Sequence, residues 1–329
     1  MGKPIFRFRV RRVFAAGMSA AILLSACSSP QPVEEAAPKA AEVPVTVAEL
    51  VATDGSWGNT EGPAVDSQGA LYFTSRGTYK GVVKWTKEGG ATQHAAVATK
   101  AGPGGLWIDD ADNIYLTATD EREVQRLSPG GELTVIAKGF EADPAVAKGP
   151  NDIVVSKAGV VYFTDPNGYQ GEAAPGTVYR IDAKGEVSVF DDTVVGPNGI
   201  VLSGDDRTLY VAHNIAEAKS NLVRWALDES GAKVGEKQVV AEIEPCIADG
   251  MAVDQNGNVW LTCYSYGTAH LIDPDTGDVI ERVTTEQKAL TNCVFGRGAD
   301  GHSLYLSSSD MERVTGYVYR ATVKTPGIR

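Results

Sequence analysis

Residues 149–165 read Gly149-Pro150-Asn151-Asp152-Ile153-Val154-Val155-Ser156-Lys157-Ala158-Gly159-Val160-Val161-Tyr162-Phe163-Thr164-Asp165. Two runs of β-branched and aromatic residues flank a short turn that ends in glycine, which is a strand–turn–strand pattern. A polar residue opens the first strand and another closes the second. The pattern occurs six times, opening at Glu61, Gly104, Asn151, Asn198, Asp249 and Asn292. The openings lie 43, 47, 47, 51 and 43 residues apart. Second strands follow in each copy, among them Leu71-Tyr72-Phe73-Thr74, Leu209-Tyr210-Val211-Ala212 and Leu304-Tyr305-Leu306-Ser307.

Third strands are expected at 81–85, 123–127, 176–181, 221–226, 268–272 and 316–322. Fourth strands are expected in the first five copies, at 92–97, 133–137, 187–191, 238–243 and 279–283. A strand-only repeat of this length is a propeller blade. The sixth copy ends before a fourth strand, and residues 45–51 (Val45-Thr46-Val47-Ala48-Glu49-Leu50-Val51) supply one. Closing the ring this way pairs an edge that would otherwise stay open. The fold class is therefore all-β, a six-bladed β-propeller over residues 45–329 closed by an N-terminal outer strand.

With 43% hydrophobic residues and 36 glycines, the chain has ample material for one core. Residues 1–26 stand apart from it. Lys3, Arg7, Arg9, Arg11 and Arg12 form a basic head, and 13–26 is an apolar run too short for an ordinary membrane span. Leu24-Ser25-Ala26-Cys27 resembles a bacterial lipobox, which makes Cys27 the lipidated first residue of the mature protein. Residues 27–44 then form a tether rich in Ser, Pro, Ala and Glu. Ser28, rather than Asp, after the cysteine implies by the same resemblance an outer-membrane lipoprotein facing the periplasm, held to the membrane by its lipid alone.

Five basic and no acidic residues lie in 1–26, so the net charge of −12 becomes −17 without them. Such a surface disfavours nucleic acid as a partner and accommodates a cation more readily. Cys246, Cys263 and Cys293 remain after Cys27. In an oxidising compartment they allow one disulfide and a free thiol, or three small buried residues.

The first strand of a propeller blade lines the central channel, so the six opening residues ring one mouth. Residues after each second strand join them there, including Arg76, Asp165, His213, Tyr264 and Ser308. Five of the six openings carry a side-chain oxygen, and two of those, Glu61 and Asp249, are carboxylates around a narrow axis. Unpaired carboxylates there are unfavourable. A hard divalent cation resolves this, and Ca²⁺ suits an all-oxygen donor set.

The ordered set Glu61-Gly62-Pro63, Gly149-Pro150-Asn151-Asp152, Tyr162-Phe163-Thr164-Asp165-Pro166, Gly196-Pro197-Asn198-Gly199, Asp249-Gly250-Met251 and Thr291-Asn292-Cys293-Val294-Phe295-Gly296 resembles the senescence-marker-protein/gluconolactonase (regucalcin-like) family. The resemblance spans roughly the whole propeller. It implies one divalent ion, usually calcium, in the channel of a hydrolase acting on lactones or, in some members, organophosphates. It makes Glu61, Asn198 and Asp249 the metal ligands, with Asn151 at the metal or its substrate, and Asp249 the candidate general base. Sugar-lactonase members often carry an arginine two residues before the third-blade asparagine, and this chain has Gly149 there. Lys148, Arg76 and His213 are the candidates to hold substrate in its place. The expected reaction opens a sugar or related lactone by water attack on a calcium-polarised carbonyl. Two alternatives stand beside it: a non-catalytic propeller that binds a small molecule at the metal, and an organophosphate-type hydrolase.

Overall fold

The computed structural model describes residues 42–140, 149–166 and 175–329. Strands β1 (Val45–Val47) and β2 (Glu49–Asp54) come first. Blade one is β3 (Thr60–Val65), β4 (Leu71–Arg76), β5 (Lys80–Thr86) and β6 (Gly90–Ala96). Blade two is β7 (Leu106–Ile108), β8 (Ile114–Ala118), β9 (Glu123–Leu127) and β10 (Leu133–Lys138). Blade three is β11 (Ile153–Val155), β12 (Val161–Asp165), β13 (Pro175–Ile181) and β14 (Val187–Val195). Blade four is β15 (Pro197–Leu202), β16 (Thr208–Ala216), β17 (Lys219–Leu227) and β18 (Lys233–Ile243). Blade five is β19 (Ile247–Val253), β20 (Val259–Tyr264), β21 (Thr268–Ile272) and β22 (Val279–Thr284). Blade six is β23 (Ala289–Phe295), β24 (Ser303–Ser309) and β25 (Gly316–Thr322), completed by β2.

The six sheets are the six expected copies, but ring closure differs from the expectation. Residues 45–51 are not one outer strand. β1 runs parallel to β22 and extends blade five, while β2 runs antiparallel to β25 and completes blade six. A short break at Ala48, whose amide donates to the Thr284 carbonyl, lets one segment clasp two blades.

Each sheet is sandwiched between neighbours, so inner strands bury both faces and read as continuous apolar runs. Phe73, Leu116, Phe163, Val211, Leu261 and Leu306 occupy the same place in successive second strands, and all are fully buried. Each such side chain stabilises the fold by about 1.5–3 kcal/mol. The buried apolar residues form six clusters, one at each seam between adjacent blades. Cys246 and Cys263 form a disulfide with Cα atoms 4.9 Å apart, and Cys293 is a buried free thiol. The bond joins the entry of β19 to the end of β20.

Channel-lining residues come from the first strand of every blade, among them Val65, Ile108, Ile153, Val201, Val253 and Phe295. They enclose a cavity of about 60 Å³ on the axis. The chain's last residues fill that end: the Arg329 guanidinium lies 4.2 Å from the Trp107 ring and donates to the Ile108 carbonyl at 2.8 Å. The polar residues lie toward the opposite mouth.

Candidate active site

A local irregularity presents several of the polar opening residues. The ladder between β3 and β4 shifts register between Glu61 and Ala64. That between β15 and β16 shifts between Pro197 and Ile200, and that between β19 and β20 between Ala248 and Met251. A bulge bends its strand and re-aims a side chain, and Glu61, Asn198 and Asp249 sit at these three. The residue after each is glycine because adjacent first strands meet closely at the axis. Gly62 has φ +47°, and a Cβ there would lie 2.2 Å from the Leu106 amide nitrogen. A Cβ on Gly250 would lie 1.8 Å from the Asn292 side chain.

A girdle of side chains fixes the backbone of this ring. The hydroxyl of Thr74 donates to the Gly104 carbonyl at 2.8 Å, Thr117 to Asn151 at 2.7 Å, and Thr164 to Asn198 at 2.7 Å. Thr262 donates to the Thr291 carbonyl at 3.0 Å. Each of these threonines lies near the end of a second strand and grips the next blade. Blade four has Ala212 at that place, and Asn214 takes over, donating to the Ala248 carbonyl and accepting from its amide. Asp249 is thereby positioned through its neighbour. Sequence reading missed the girdle, although a threonine recurs at the end of four of the six second strands.

Asp152 and Asn292 come from opposite blades, three and six, and their side chains meet at 3.3 Å across the axis. The Asp152 carboxylate also accepts from the amides of Ile153 and Ile200. These two residues floor the site. Asn292, expected in the ring itself, is tied into that floor.

Above the floor stand Glu61, Asn198 and Asp249. Burial and then the charge of Asp152 push the Glu61 carboxyl up to about 7, against the opposing pull of Arg76 and Arg313. Burial, then Glu61 and Asp152, push the Asp249 carboxyl well above the usual carboxylate range. Burial raises Asp152 to about 7, and its three hydrogen bonds hold it back. Asn198 is buried; its side-chain amide hydrogen-bonds Asp249 while its own oxygen, Oδ1, has no partner among the described residues. Asn151 occupies the same register in blade three, its amide donating to the Thr164 carbonyl at 2.7 Å. Among the described residues no three His, Cys, Asp or Glu side chains form a metal-holding group. Asp152 is committed to the floor, and the remaining donors are two carboxylates and side-chain amides.

The other candidates separate. Arg76 is half-buried at the end of β4 and acts electrostatically on Glu61. His213 is buried, and burial, then Lys237, lower it to about 4. Its charged neighbours are Lys237 and Asp191, not the carboxylate pair, and neither ring nitrogen has a partner among the described residues. Lys148 and Cys27 lie outside the described residues. Gly149 has φ +91°, and a Cβ there would lie 2.0 Å from the Thr119 carbonyl oxygen, so that position admits no side chain. Arg313, which sequence reading passed over, stands at the mouth within electrostatic reach of Glu61 and Asp249.

A six-bladed propeller with a carboxylate pair at one mouth of a floored channel defines the class. The SMP-30/Gluconolactonase/LRE-like region matches residues 59–310, and the chain belongs to that family. A gluconolactonase of Zymomonas mobilis is 25% identical over 298 residues, covering 80% of this chain and 79% of that protein. A pentonolactonase of Haloferax volcanii is 30% identical over 162 residues, 48% of this chain and 53% of that protein. The crystal structure of a calcium-binding protein, regucalcin, from Agrobacterium tumefaciens superposes with TM-score 0.70 at 22% identity, covering 86% of this chain and 97% of that one.

Proposed function

We propose that this protein is a calcium-dependent lactonase, with Glu61, Asn151, Asn198 and Asp249 holding the ion. The observation that carries the reading is the pairing of two carboxylates disfavoured as ions by their surroundings with the amide oxygen of Asn198, which has no partner among the described residues. A hard divalent cation satisfies all three at once. The gluconolactonase and pentonolactonase relatives support a lactone as substrate, and the calcium-binding regucalcin supports the ion.

Bound there, the ion supplies a Lewis acid that polarises a lactone carbonyl and stabilises the oxyanion that develops on it. Asp249 accepts a proton from water as the water oxygen bonds to the carbonyl carbon. The ring C–O bond then breaks, and the departing alkoxide takes that proton from Asp249, leaving a hydroxy acid. Asn198 orients Asp249 through the hydrogen bond between their side chains. Arg76 moderates the negative charge at Glu61. The floor of Asp152 and Asn292 blocks passage down the channel, so substrate enters from the mouth.

The test is hydrolysis of a panel of sugar and aliphatic lactones, followed by acid release, on the chain from residue 28. Turnover abolished by EDTA and restored by Ca²⁺ supports the reading; indifference to EDTA overturns the calcium requirement. We further propose that Cys27 is lipidated and holds the protein at the outer membrane facing the periplasm. Cys27→Ser is expected to shift the protein from the membrane to the soluble fraction, and an unchanged distribution overturns the anchor.

A further inference from the structure

Arg313 lies in the turn between β24 and β25, at the mouth, with φ +59°. The Asp310 carboxylate holds this turn by accepting from the amides of Val314 at 2.7 Å and Thr315 at 2.9 Å. The turn packs over blade one: a Cβ on Gly58 would lie 3.1 Å from the Arg313 carbonyl oxygen. The guanidinium reaches to blade five, where Nε and Nη2 donate to the Tyr264 hydroxyl at 3.2 and 3.0 Å. It lies 5.5 Å from the centre of the Tyr264 ring. Tyr264 follows Cys263, so the Cys246–Cys263 disulfide braces this support.

Both bonds to Tyr264 use one edge of the guanidinium. The other edge, Nη1 with the second Nη2 hydrogen, has no hydrogen bond to a described residue, and no described carboxylate lies within salt-bridge distance. Arg313 is exposed, and its turn neighbours Met311 and Val314 are exposed apolar residues. A solvent-facing guanidinium edge with no partner among the described residues, beside the proposed hydrolytic site, matches a carboxylate in geometry and charge. An arginine that merely neutralised Glu61 and Asp249 would pair with them directly; this one bonds Tyr264 instead and feels the two carboxylates only at longer range.

We propose that Arg313, positioned by Tyr264, is the specificity residue of this site and that it binds the free carboxylate of an acidic sugar lactone. The inference rests on the lactonase reading for the word lactone and on the Arg313–Tyr264 geometry for the anion. The reacting carbonyl lies toward Asp249 and the substrate's carboxylate toward the mouth.

The experiment compares D-glucaro-1,4-lactone, which carries a free carboxylate, with neutral glucono-δ-lactone, using wild type, Arg313→Met, Arg313→Lys and Tyr264→Phe. Loss of a charge-assisted, bidentate contact is expected to raise KM for the acidic lactone about tenfold or more in Arg313→Met. That rise should exceed any change for the neutral lactone by about tenfold, with Arg313→Lys intermediate and Tyr264→Phe showing a smaller effect of the same kind. Equal effects on both lactones, or none, overturn the proposal. Calorimetric binding of glucarate to the calcium-loaded protein gives a readout free of turnover. Glucarate binding that depends on Arg313, in a protein that opens no lactone, keeps the Arg313 proposal and removes the lactonase reading. Lactone turnover with glucarate binding insensitive to Arg313→Met does the reverse, and absence of both removes both.

Discussion

Glu61 and Asp249 are the two residues whose chemistry the rest of the site serves, and they test differently. Asp249→Asn is nearly isosteric and keeps the amide contact with Asn198, so the fold should survive. Turnover should fall by about 10²–10⁴-fold, the usual contribution of a proton acceptor, and calcium affinity should weaken. Steady-state kinetics with calcium titration check both, and undiminished turnover removes Asp249 from the proton transfer. Gly250 beside it is a packing position, because any Cβ would overlap the Asn292 side chain. Gly250→Ala is expected to destabilise the fold by about 1–3 kcal/mol by overpacking, seen as a lowered midpoint in urea. An unshifted midpoint would mean that Asn292 can leave the floor freely. At this scale the chain declares its carboxylates openly, because they recur in register at strand openings. Arg313 is not declared: its role depends on a contact with Tyr264, 49 residues earlier in the chain.

Among elements, the threonine girdle links fold to site. Thr164 is fully buried and its hydroxyl holds the carbonyl of Asn198. Thr164→Val preserves shape but leaves that carbonyl short of a donor, and should reduce stability by about 1–3 kcal/mol. Because the lost bond sits on a metal-ligand backbone, calcium affinity should fall with it. A stability loss with unaltered affinity would make the girdle purely structural. Strand positions were legible because the six copies check one another: 123–127, 268–272 and 316–322 coincide with β9, β21 and β25. The closing segment had no sibling copy to compare with. Val45-Thr46-Val47 and Glu49-Leu50-Val51 run on as one strand-like stretch in the sequence, and only the seam between blades five and six decides that the first pairs β22 and the second β25. His213 misled for a related reason. Its position after a second strand placed it at the mouth by register, but the side chain is buried, with Lys237 and Asp191 as its charged neighbours.

Over the whole molecule, calcium and protons compete for the same carboxylates, and that competition has a definite sign. Glu61 and Asp152 titrate near 7 in the folded protein, and Asp249 is also raised, all above their values of 4.5 and 3.8 in an open chain. Between about pH 4 and 7 the folded state therefore binds more protons than the unfolded one, so stability without the ion falls as pH rises through that window. His213 and His270, both lowered to about 4 by burial, act oppositely: the unfolded state binds their protons first, and stability rises between about pH 4 and 6.5. The histidine contribution is common to the calcium-free and calcium-loaded protein, so it cancels in the difference between two melting curves. What remains is the carboxylate contribution. At pH 5 protonated carboxyls leave calcium little to bind, and its stabilisation should be small. At pH 8 the ion meets free carboxylates, and calcium at a hundred times its dissociation constant should add about 2.7 kcal/mol. For a domain of this size that is a rise in Tm of about 4–5 °C. Thermal melts in EDTA and in calcium at pH 5, 6, 7 and 8 measure the difference directly. A calcium shift that does not grow with pH would mean that the ion binds away from Glu61 and Asp249, and would detach the metal from the ring that the six strand openings build.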